Sequence, residues 1–85
     1  MEEKVAVRKV GENHYTLDIR GSVCPYPQLF TIRALDQLTS GDTLDVTLDN
    51  PPSVRDIPLV IEKKGHNVSK ILNVDKGVWQ ITICL

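Results

Sequence analysis

The chain has 85 residues, 41% hydrophobic and 25% charged, and its 10 basic and 11 acidic side chains leave a net charge of −1. That length holds one small domain with a modest core; the balance lacks the basic excess of a nucleic-acid binder, and no run approaches the roughly 18 apolar residues of a membrane span. The opening "MEEKVAVRKV" has no apolar core and does not read as a signal peptide. Two cysteines, Cys24 and Cys84, are too few for a disulfide framework, so the expectation is a cytoplasmic, monomeric protein with both thiols free.

Residues 1–14 read as an N-terminal arm or a short extra strand, and residues 15–85 as a single domain. In "HYTLDI", Tyr15, Leu17 and Ile19 alternate with Thr16 and Asp18, the pattern of a half-buried strand. "GSVCPYPQLF" follows and leads into an amphipathic helix. Phe30, Thr31, Ile32, Ala34, Leu35 and Leu38 fill its inner side, Tyr26, Leu29, Arg33, Asp36 and Gln37 its outer side, and Ser40-Gly41 is the expected stop. "DTLDVTLD" is a second strand, with Leu44, Val46 and Leu48 on one face. A second helix is marked by the stripe Val54, Ile57 and Ile61, with Ser53 and Asp56 at capping-box spacing and Gly65 as its stop. Pro58 inside it predicts a distortion, not a break. "HNVSKILNV" and "VWQITICL" are strands joined by the turn signal "DKG".

The order β-α-β-α-β-β, with three strands apolar on one face only, predicts an α/β two-layer sandwich. It has a four-stranded mixed sheet with two helices on one face, the other face being open. A right-handed crossover makes the first two of these strands parallel, and the last two form an antiparallel hairpin.

Cys24 is where chemistry is expected. It sits at the N-cap or first turn of the first helix, and Pro25 suits the first helical position, where a missing N–H costs nothing. A helix start favours an anion and lowers a thiol's pKa toward the nucleophilic thiolate. On spacing alone Cys24 reads equally as a small buried hydrophobe. Its place after the carboxyl end of a strand, where open α/β sheets put their sites, favours the reactive reading. Pro27 stands where a dithiol oxidoreductase has its second cysteine. His14 and His66 do not neighbour Cys24 in sequence, and the scattered Cys and His residues lack metal-site spacing. A thiolate with neither base nor resolving thiol suits covalent carriage, a sulfur atom held as a persulfide being one such load.

"CPYP" at 24–27, preceded by "LDIRG" and followed by "SGDTLDV", "SVRDIP" and "KKGHNV", resembles the C-P-x-P signature of the TusA/SirA-like sulfur-carrier family, most closely its YedF-type branch. The resemblance covers about residues 16–85. It implies a sulfurtransferase-type relay in which Cys24 accepts sulfane sulfur as a persulfide from a donor protein, such as a cysteine desulfurase or a rhodanese-like protein. Cys24 then passes the sulfur to an acceptor protein, with no cofactor beyond this transient covalent load. Gly21, Pro25 and Pro27 support the motif. Tyr26 and Leu29 form a candidate docking patch beside the sulfur. Arg55 is a candidate for orienting a partner, while Asp56 reads first as a helix cap. Cys84 reads as an unreactive strand cysteine. The alternative is an interaction or regulatory module, redox-sensing included, that uses the same thiol-bearing surface.

Overall fold

Alternation along residues 43–48 sets the architecture. Leu44, Val46 and Leu48 are fully buried, and Thr43, Asp45 and Thr47 between them are only half-buried, the period-two signature of a strand covered on one face. The computed structural model describes residues 7–21 and 26–85. In chain order these form β1 (Arg8–Gly11), β2 (His14–Asp18), α1 (Tyr26–Asp36), β3 (Thr43–Leu48), α2 (Pro51–Lys63), β4 (Asn67–Asp75) and β5 (Val78–Cys84).

The strands make one sheet in the order β1-β2-β3-β5-β4. β2 and β3 are parallel, as the crossover through α1 requires, and the other neighbours are antiparallel. The class is the expected two-layer α/β sandwich, but the sheet has five strands instead of four. The added strand is β1, which turns back onto β2 through Asn13 at a φ of +58°, a conformation that asparagine tolerates. β5 takes the inner position beside β3 because its Ile81 and Ile83 are fully buried; β4, exposed along most of its length, is left at the edge.

Register aligns Leu17, Val46 and Ile81 in one row across the sheet, and Tyr15, Leu44 and Ile83 in the next. Ala34 and Leu35 of α1 and Ile57 and Ile61 of α2 pack onto these rows. Each fully buried Leu, Ile or Val side chain among them contributes roughly 1.5–3 kcal/mol. The opposite face stays open and carries a hydrogen-bonded trio. His14 Nε2 lies 2.6 Å from Asp45 Oδ2, and the Thr82 hydroxyl donates to Asp45 Oδ1 at 2.7 Å.

Both helices end differently from expectation at one terminus. α1 stops at Asp36, short of Ser40-Gly41. Gln37 and Leu38 turn their N–H groups to the Ala34 and Leu35 carbonyls, a tightened last turn. Beyond it the Asp42 carboxylate draws Thr39 out of helix, accepting from its N–H at 3.0 Å and its hydroxyl at 3.2 Å. Gly41 belongs to the turn into β3, its N–H donating to the Leu85 carbonyl.

α2 begins two residues before Ser53. Asn50 is its N-cap, and Pro51 and Pro52 fill the next two positions, where no N–H is needed. Ser53 is therefore the third helical residue and Asp56 is inside the helix, so neither has the expected capping role. The helix passes Pro58 and ends as expected at Gly65. There His66 N–H donates to the Ile61 carbonyl and Gly65 N–H to that of Glu62, with Gly65 at a φ of +93°, a left-handed stop suited to glycine.

Candidate functional site

β2 delivers the chain to the candidate site. Past its last residue, Ile19 N–H still donates to the Thr47 carbonyl at 2.8 Å, so the strand's line continues one residue further beside β3. Arg20 then folds back on Asp18. Its Nε and Nη2 reach the two carboxylate oxygens at 2.9 and 2.6 Å, and its own N–H donates to Oδ1 at 3.1 Å. The Arg20 guanidinium holds the Asp18 carboxyl below its ordinary range, and Asp18 in turn raises Arg20. Gly21 turns the chain at a φ of +91°, a value that side-chain-bearing residues rarely adopt. Its N–H donates to Asp49 Oδ1 at 2.9 Å.

Cys24 and Pro25 lie outside the described residues. The chain is described again from Tyr26, where α1 begins. Pro27, expected as motif support, is fully buried, and its carbonyl accepts the Thr31 hydroxyl at 2.8 Å. One residue on, Gln28 reaches α2: Ser53 Oγ lies 3.2 Å from Gln28 Oε1 and 2.7 Å from Asn50 Oδ1. The single Ser53 proton serves the nearer Asn50 acceptor. Asn50 Oδ1 also accepts from Ser53 N–H at 3.3 Å. The turn before residue 22 is thus bonded to Asp49, while Gln28 of α1 lies against the start of α2, beside the Ser53 hydroxyl that Asn50 accepts.

Asp49 and Asn50 accept these bonds with Gln28 beside them, and the sequence pattern alone gives none of the three a role in the site. The Asn50-Pro51-Pro52 run is a legible helix-start signal. The Asp49 and Gln28 contacts join positions 28 and 25 residues apart and have no local signature.

Tyr26 and Leu29 are 54% and 46% exposed, as expected for the outer side of α1. Tyr26 stacks on the half-buried Phe30, with ring centroids 6.1 Å apart and planes at 25°, which anchors one side of the patch in the core. Arg55 is exposed on α2. Cys84 is exposed on the open sheet face, in register with Thr43 and Asn67. Among the described residues no three His, Cys, Asp or Glu side chains converge as a metal-ligand set, and no helix is long and apolar enough to cross a membrane.

Residues 15–85 match the family model described as Sulfurtransferase TusA. The chain is 37% identical over 83 residues to a candidate sulfur carrier protein of Archaeoglobus fulgidus, covering 98% of this chain and 93% of that one. Over 68 residues it is 44% identical to a candidate sulfur carrier of Thermotoga maritima, covering 80% and 86%. Over 57 residues it is 42% identical to the candidate sulfur carrier YedF of Escherichia coli K12, covering 67% and 74%. A SirA-like protein of Desulfitobacterium hafniense superposes with a TM-score of 0.72 at 33% identity, covering 80% of this chain and 92% of that one. In sequence over residues 15–85 and in the two-layer fold those residues adopt, the chain belongs to the TusA family.

Proposed function

We propose that the protein is a sulfur carrier with Cys24 as its carrying residue. The Cys24 thiolate attacks the outer sulfur of a donor protein's persulfide. A new S–S bond forms on Cys24, the donor's S–S bond breaks, and the donor leaves as a thiolate. In the second transfer an acceptor nucleophile attacks the outer sulfur of the Cys24 persulfide, and Cys24 departs as the thiolate. No net oxidant or reductant is needed. Cys24 precedes Tyr26, the first residue of α1, by two positions in the sequence, and a helix start favours an anionic sulfur at both stages.

The observation that carries this reading is the C-P-x-P motif lying within the family match, between a turn bonded to Asp49 and the start of α1. Such fixing reduces the ordering cost of the transfer geometry. The exposed Tyr26–Leu29 patch on α1 is the proposed docking surface for donor or acceptor. Incubation with a cysteine desulfurase and free cysteine, followed by intact-mass spectrometry, tests the proposal. The expected gain is about 32 Da on Cys24, lost in Cys24→Ser and kept in Cys84→Ser. No gain under conditions that load a known carrier would refute it.

A further inference from the structure

The two edges of the sheet are built differently. β1 is four residues long, carries Arg8 and Lys9, and is broken by a register shift between Lys9 and Gly11. Short, charged, irregular edges resist pairing with other strands. β4 is nine residues long and has no proline. Register puts Lys70 and Leu72, opposite Thr82 and Gln80, on the open face, and Ile71 and Asn73, opposite Ile81 and Trp79, on the helix face. Ile71, Leu72 and Val74 are 44%, 43% and 50% exposed. The edge thus presents apolar side chains on both faces beside a row of backbone donors and acceptors that no second strand among the described residues pairs. Register shifts between Val68 and Lys70 and between Asn73 and Asp75 bracket a regular run, 70–73.

We infer that this edge pairs with the same edge of a second copy, antiparallel about a two-fold axis at Leu72. Opposed residues in a continuous sheet share a face, so the numbers of paired residues sum to an even value. With the axis at Leu72, Leu72 meets its own copy, Ile71 meets Asn73, and Lys70 meets Val74 with Asp75 next to it. Each Lys70 ammonium then falls beside the second copy's Asp75 carboxylate, and symmetry makes the pair twice. An axis at Asn73 sets Lys70 against Lys76, and an axis at Ile71 sets it against Leu72 with no ion pair. Charge therefore selects Leu72. The carboxyl end of β2 is three strand spacings from β4, roughly 14 Å. Association leaves it open in both copies, and the inference is independent of the sulfur-carrier reading.

A strand-edge contact buries less than the roughly 1,200 Å² typical of stable complexes, so pairing is weak and concentration-dependent. Sedimentation velocity on the full chain from about 10 µM to about 500 µM tests it. The expected weight-average mass rises from 9.5 kDa toward twice that value. Leu72→Lys places two ammonium groups on the axis and holds the chain monomeric. Lys70→Glu and Asp75→Lys each weaken association at least about tenfold, and the double swap returns it to within about threefold of the parent. Lys70 and Leu72 are exposed, so unchanged thermal unfolding midpoints identify the effect of their variants as one on pairing; Asp75→Lys also removes the turn bond from the Lys76 N–H, and for it recovery of association in the double swap is the readout. A parent chain that stays at 9.5 kDa throughout, self-association that survives Leu72→Lys, or a double swap no tighter than the single variants overturns the inference.

Discussion

The Asp49 carboxylate accepts the Gly21 N–H at 2.9 Å across 28 residues of sequence. It ties the turn that leaves β2 to the connection that leaves β3, just before the segment that carries Cys24. Asp49→Ala is expected to cost only about 0.5–1 kcal/mol of stability, since the bond is exposed. It is expected to slow persulfide uptake more than that loss explains. Denaturant unfolding alongside a sulfur-loading time course checks both, and loading at the parent rate counts against a positioning role.

Gly21 is strained by any side chain through its backbone, not through crowding. A Cβ there meets nothing within 4 Å, while φ is +91°. Gly21→Ala is expected to destabilise by about 1–2 kcal/mol, read from the shift in unfolding midpoint. An unchanged midpoint would show that the turn relaxes freely.

Ser53 is fully buried at the start of α2, with its hydroxyl on Asn50 and next to Gln28. Asn50→Ala removes the N-cap and leaves the hydroxyl only the more distant Gln28 acceptor, with an expected loss of about 1–2 kcal/mol. Asn50→Asp restores the acceptor and is expected to recover most of the loss in equilibrium unfolding.

Asp18, held below its ordinary range chiefly by the Arg20 hydrogen bond, gives the protein a pH dependence of known sign. A carboxylate with a lowered folded pKa contributes stability above its unfolded value, and that contribution is lost as pH falls through the folded value. The stability difference between the parent and Asp18→Asn is therefore expected to be small and positive at neutral pH, because the pair is solvent-exposed, and to vanish in acid. Unfolding curves at pH 7 and pH 2.5 check the sign; a difference that grows in acid contradicts it.

The two thiols are expected to differ in reactivity. Cys84 lies on a strand, exposed and without a helix end, whereas Cys24 precedes α1 by two residues. At about pH 6–7 Cys24 is expected to alkylate several-fold faster than Cys84, as read by peptide mass spectrometry of a time course. Equal rates would remove the helix-start argument.

Much of the fold was legible because it is local. The period-two runs of β2, β3 and β5 and the stripes of α1 and α2 name the buried residues directly. Gly65 marks a stop that hydrogen bonds then confirm. The helix ends were less legible where two local signals compete. Ser53 and Asp56 have the right spacing for a cap, but Asn50 followed by two prolines starts the helix earlier and takes Ser53 as its bonded third residue. Gly41 resembled a stop, yet Asp42 had already drawn Thr39 out of the helix.

The sequence alone determined which faces are apolar, that the strand-helix-strand unit is parallel, and that Cys24 stands between a strand and a helix start. Each of these depends on neighbours within a few residues, or on a handedness that every L-amino-acid chain shares. Tertiary structure decided that β5 inserts between β3 and β4, that β1 closes one edge, and that Asp49 holds the turn ahead of the Cys24 segment. The β3–β5 pairing joins residues 31 to 41 apart, and the Gly21–Asp49 bond joins residues 28 apart. Which strand wins a central place, and which carboxylate meets which N–H, depends on the burial and backbone geometry of the whole assembled sheet.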